Sequence, residues 1–124
     1  MIGKLFLLIY IIFIFLSGCN VKHEYVVASG LKWGRYEGEL NWKNAIQRCK
    51  KQGMRLPTKK ELLSAYDSGK RELRCYENYC RYWSSSSYAT EKDNAYVVSF
   101  YPEDDFRVYH YRKYLPFHVR CVVD

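Results

Sequence analysis

The stretch NWKNAIQRCKKQGMRLPTKKELLSAYDSG, residues 41–69, reads as two helices joined by a short extended link. Asn41 is placed as a helix N-cap, because its side chain can accept a hydrogen bond from a backbone N–H of the first turn. Behind it, Trp42, Ala45, Ile46 and Cys49 recur at helical spacing and predict one apolar face. Gly53 closes this helix, since a residue in the left-handed conformation commonly follows a helix C-terminus. Arg55-Leu56-Pro57 is then extended, and Thr58-Lys59-Lys60-Glu61 has the form of a capping box opening a second helix. Leu62, Leu63 and Tyr66 are expected to face its core, and Ser68-Gly69 to end it.

Working outward to the C-terminus, residues 70–82 are charged and tyrosine-rich without a period, which predicts a loop. Strands are expected over 82–88, with the run Trp83-Ser84-Ser85-Ser86-Ser87, and over 95–101 and 106–111. Pro102-Glu103-Asp104-Asp105 is the turn between the last two. A final strand over 118–123 alternates Val119, Cys121 and Val123 on one face with His118, Arg120 and Val122 on the other. Working outward to the N-terminus, Leu31 to Tyr36 reads as a short strand around Trp33, and Glu37 to Leu40 as a turn containing Gly38. No repeat and no second linker is visible, so residues 31–124 are expected to form one α+β domain.

The N-terminal segment fixes the expected compartment. Lys4 supplies a positive start, Leu5 to Leu16 an apolar run, and Leu16-Ser17-Gly18-Cys19 a small-residue approach to a cysteine, the pattern of a bacterial lipoprotein signal. The apolar run is shorter than the ~20 residues a membrane span requires. Residues 1–18 are therefore expected to be removed and Cys19 to carry the lipid, several acyl chains together anchoring far more firmly than one. Residues 19–30 become the lipidated cysteine and its tether. The expected location is the bacterial cell envelope at a membrane surface, more in keeping with the outer membrane or cell surface than the inner membrane.

The chain's formal charge of +7 includes Lys4, so the mature part carries +6. That balance favours acidic partners, and export leaves nucleic acid the poorest candidate among them. Apart from Cys19 there are Cys49, Cys75, Cys80 and Cys121, an even number suited to an oxidising compartment. Three pairings are possible. Spacing favours Cys75–Cys80 as a local loop and Cys49–Cys121 as a long staple, worth about 2 and about 4 kcal/mol by chain entropy. The four lack the paired C-x-x-C spacing of a zinc site.

The landmarks Leu40-Asn41-Trp42, Ala45, Cys49, Arg55-Leu56-Pro57-Thr58, Glu61-Leu62, Tyr82-Trp83-Ser84-Ser85-Ser86 and Val119-Arg120-Cys121-Val122 occur in this order. Together they resemble the domain of unknown function typified by the C-terminal domain of the Lcl collagen-like adhesin, over most of residues 31–123. The resemblance implies a C-type-lectin-like fold, with two helices packed on small twisted antiparallel sheets and chain ends close together, to which the cysteine count adds two disulfides. It also supports the Cys49–Cys121 pairing, and it implies a surface adhesin that binds sulfated polysaccharides, an analogy that fold alone does not carry. The chain departs from the pattern in its glycine-free turn at 102–105, in the absence of a tryptophan before Arg55, and in the ending Val122-Val123-Asp124.

Trp33, Trp42, Trp83, Leu56 and Arg55 stand at landmark positions and are read as structural, because large aromatics dominate core burial. The serine run has no histidine and acid arranged around it as a nucleophile requires. No metal site is expected. Glu103, Asp104, Asp105, Asp93 and Asn94 offer clustered oxygens, but a calcium ion takes six to eight, and the calcium-dependent sugar signatures of lectins are absent. The candidate ligand-binding residues are Arg107, Tyr109, Tyr111, Arg112 and Lys113, with Tyr79 and Arg81 from the tyrosine-rich loop. Arginine grips oxyanions with two parallel hydrogen bonds, and tyrosine rings can stack on sugar faces. The same pattern also fits an edge strand whose charges deter aggregation. His23, His110 and His118 carry no assigned role.

The sequence thus leads to a non-enzymatic, cofactor-free lipoprotein binding an anionic polysaccharide. A host or envelope protein partner is the alternative. Oxidases that activate sulfatases share a related fold and use a cysteine pair, but they are far larger, and here every mature thiol has a structural role or a lipid.

Overall fold

The structure is a computed structural model describing residues 25–73 and 80–124. The expected signal segment, the expected lipidation site Cys19, and Cys75 and Tyr79 lie outside the described residues. The strands are β1 (Val26–Ala28), β2 (Leu31–Leu40), β3 (Arg81–Ser87), β4 (Asn94–Ser99), β5 (Val108–Arg112) and β6 (Phe117–Val123); the helices are α1 (Trp42–Lys51) and α2 (Lys59–Asp67). The class is α+β, as expected.

Both helices begin and end where local chemistry directs. The Asn41 side chain accepts from the N–H of Asn44, and Gly53 follows α1 at φ +69°. Thr58 and Glu61 form the reciprocal capping box at the start of α2. Arg55 donates to both Glu61 carboxylate oxygens, at 2.7 and 2.8 Å, and to Asp124 at 2.7 Å. Asp124 therefore helps to hold Arg55.

The sheet differs from the small antiparallel sheets expected. All six strands form one mixed sheet in the order β1-β2-β6-β3-β4-β5. The last strand returns to its middle, antiparallel to β2 and parallel to β3 at Tyr82 and His118. Two further expectations are corrected. Residues 26–28, placed in the tether, pair with β2 as an edge strand. Glu37 to Leu40 do not turn: β2 runs on to Leu40 through register shifts against β6, with Gly38 at φ +93° in the irregular stretch.

Successive side chains of a strand point to opposite faces, and the core divides accordingly. Ala45 and Cys49 of α1 pack with Trp83, Ala95, Val97, Val119 and Cys121 on one face. Leu62 and Ala65 of α2 pack with Trp33, Tyr82, Val98 and Val122 on the other. The Cys49–Cys121 disulfide joins α1 to β6 across 72 residues. It is the one disulfide whose two ends both lie among the described residues; Cys80 is also disulfide-bonded.

Candidate functional site

The tyrosine-rich basic strand predicted as a ligand surface is β5, an edge strand, and its pleat separates the candidate residues. Tyr109 and Tyr111 point to the α1 face, where they pack against the cluster that holds Trp83 and Phe117. His110 points to the α2 face, and by alternation Arg112 lies on the same side.

On the α1 face Arg81, from the start of β3, lies over the Tyr109 ring at 4.0 Å and donates to the Tyr111 hydroxyl. It also pairs with Asp104 at 3.6 Å, the two side chains being 17% and 7% exposed. Tyr109 donates its hydroxyl proton to Asp104. Burial alone pushes the Asp104 carboxyl up, but hydrogen bonds from Tyr109 and Ser99 and the Arg81 charge outweigh it, leaving its pKa below the ordinary value. The bond to Asp104, then burial, raises the Tyr109 hydroxyl. The turn expected to be a solvated acidic loop thus sends Asp104 inward as a counterion. Among the described residues, no group of three or more His, Cys, Asp or Glu is arranged to hold a metal.

Arg107 is committed elsewhere: it donates to the carbonyls of Ser99 and Tyr101 at 2.7 and 2.9 Å and lies 3.7 Å over the Tyr66 ring of α2. Lys113 lies 4.1 Å over the Trp42 ring and donates to Ser87 at 3.1 Å. Of the seven predicted residues the structure unites Arg81, Tyr109 and Tyr111, separates Arg107, Arg112 and Lys113 from them, and does not describe Tyr79.

On the α2 face, side chains absent from the predicted set lie on the same side as Arg112. The rings of Tyr88 and His110 stack 3.9 Å apart at 4° between planes, with Tyr96 edge-on to both. Lys59, at the start of α2, lies 4.2 Å over the Tyr96 ring. The alternation of Tyr96 with apolar neighbours on β4 signals its face. The approach of Lys59 has no local signal, because it depends on how α2 docks.

The other landmarks are structural. The indole N–H groups of Trp33, Trp42 and Trp83 donate to the carbonyls of Ala28, Ser84 and Leu40. Within the serine run, Ser84 donates to the Tyr96 carbonyl and Ser86 accepts from the Lys59 N–H. An open hollow of about 240 Å³ beside α1 is lined by Ile46, Lys50, Met54, Arg55, Leu56 and Ser85. It has no aromatic wall and falls below the ~300–1,000 Å³ usual for small-molecule pockets.

The family model of the Lcl C-terminal domain matches residues 27–123. The chain belongs to the Lcl C-terminal domain family. The match begins inside β1, in keeping with that strand being part of the Lcl domain rather than of a tether. No curated protein and no solved structure matches the chain. Among the described residues of this Lcl family member, no helix is long and apolar enough to cross a membrane.

Proposed function

We propose that this chain is a non-enzymatic, lipid-anchored protein of the bacterial envelope whose C-type-lectin-like domain binds anionic glycans of the glycosaminoglycan type in adhesion. Membership of the Lcl C-terminal domain family, typified by an adhesin, is the observation that carries this reading. The excess of 20 basic over 13 acidic residues supports it, because a cationic surface concentrates polyanions. The Leu16-Ser17-Gly18-Cys19 motif supports the anchor.

The test is retention of the oxidised full chain, in uncharged detergent, on heparin beside a sulfate-free resin across a salt gradient. Retention on heparin alone above ~0.15 M salt, where the Debye length is already near 8 Å, is expected. Elution from both resins at low salt removes the glycan reading. Phe106 and Tyr114, 69% and 71% exposed, favour a second reading as a protein-interaction module, whose mark is salt-insensitive capture of a partner.

A further inference from the structure

Both faces of the β4–β5 edge carry tyrosines and cations, but among the described residues only the α2 face has a cation, Arg112, whose side chain meets no acid, ring or hydrogen-bond partner. On the α1 face Arg81 is matched by Asp104 and by two tyrosine rings. On the α2 face Arg112 is exposed, and its side chain makes no hydrogen bond or ion pair among the described residues. It stands directly across from Asn94 in the β4–β5 register, and His110 stands across from Tyr96.

Asn94 is buried, and its amide nitrogen reaches both Glu91 Oε2, at 3.1 Å, and His110 Nδ1, at 3.0 Å. With that amide donating, the neutral imidazole accepts at Nδ1 and keeps its own proton on Nε2, available to a ligand. The amide thus ties Glu91, an exposed acid beside this cluster, to the His110 ring, which lies parallel to Tyr88.

We propose that Tyr88, His110 and Tyr96, with Arg112 and Lys59, form a subsite for one anionic pyranose ring of a polysaccharide. This rests on the glycan reading above. An aromatic stack takes the C–H face of the sugar, while Arg112 and Lys59 pair with its sulfate or carboxylate and His110 Nε2 donates to a ring hydroxyl. Because β5 is the sheet edge, the subsite lies at an open rim. A ring within a long chain can reach it without a chain end being threaded into a cavity.

Calorimetric titration of the full chain in uncharged detergent with a heparin hexasaccharide, and with its desulfated counterpart, provides the test. The double variant His110→Ser/Arg112→Ser is compared with Lys51→Ser, which removes one charge from the exposed end of α1. The double variant is expected to bind the sulfated probe about tenfold or more weakly, one charge-assisted contact being worth about that factor. Lys51→Ser is expected to lose less than about threefold, as screened surface charge does. Loss of discrimination between the two probes in the double variant assigns the anionic group to sulfate; equal affinity of the wild-type chain for both assigns it to carboxylate.

Equal weakening in the two variants, or undiminished binding in the double variant, overturns the subsite while the glycan reading stands. Absence of any wild-type binding overturns both. Tyrosine ring resonances give an answer that needs no variant: the hexasaccharide should shift Tyr88 and Tyr96 and leave Tyr109 and Tyr111 in place. The reverse pattern rejects the subsite.

Discussion

The two faces of the β4–β5 edge are built from one interleaved run of residues, yet they differ as a closed network differs from an open one. On the α1 side, Arg81, Asp104, Tyr109 and Tyr111 are tied to one another by an ion pair and hydrogen bonds. On the α2 side, Tyr88, His110 and Arg112 face outward around a buried asparagine. Composition cannot separate the two, because the residue types are nearly the same. The partner decides: a basic side chain held by a nearly buried carboxylate stabilises the fold, and the same side chain without one is available to an external anion.

The strongest way to break this comparison is to replace Arg81. Arg81→Met leaves Asp104 nearly buried without its counter-charge, and breaking such a pair typically costs about 3 kcal/mol or more. Urea denaturation should show that loss, and a change below about 0.5 kcal/mol would mean that the α1 face is not closed.

Next in size is the clamp that positions α2 and Lys59. Hydrogen bonds from Arg55 lower the Glu61 pKa from 4.5 to about 2. A carboxyl depressed by folding contributes fully above its unfolded pKa, and the contribution disappears as pH falls through the folded value. Stability should therefore decline from about pH 4.5 towards pH 2 through this group, and Glu61→Gln should flatten that part of the profile. At neutral pH the substitution should cost about 1–2 kcal/mol through the weakened cap and ion pair. An unchanged acid profile would remove Glu61 as the responsible group.

Gly53→Ala comes third, at about 1 kcal/mol, because an L side chain is disfavoured at φ +69°. A matching drop in melting temperature should appear with no change in glycan retention, because α1 lies on the face opposite Arg112. The smallest effect sharpens the contrast from the other side: Arg112→Ser should alter stability by less than about 0.5 kcal/mol, as exposed substitutions usually do. A larger loss would give Arg112 a structural partner and close the open face.

The helical half was legible because its signals are local. Asn41, Gly53 and the Thr58–Glu61 box act within a few residues of themselves, and α1 and α2 start and stop at them. The alternation on β6 was legible for the same reason. Gly38 misled, because a glycine at positive φ serves a bulge as well as a turn, and only pairing with β6 distinguishes them. The candidate site was half legible: the basic tyrosine run was visible, while its division between faces needed the pleat, and the capture of Arg81 by Asp104 needed the 102–105 turn to fold inward.

The sequence by itself determined the α+β class, the helix boundaries, the family and the Cys49–Cys121 staple, since each rests on short-range chemistry or on an ordered set of landmarks. The tertiary structure alone decided that β6 enters the middle of one mixed sheet, and with it which cations are neutralised and which are exposed. The physical reason is that strand pairing and counter-ion choice depend on contacts between residues distant in the chain, whose approach is set by the packing of the whole domain.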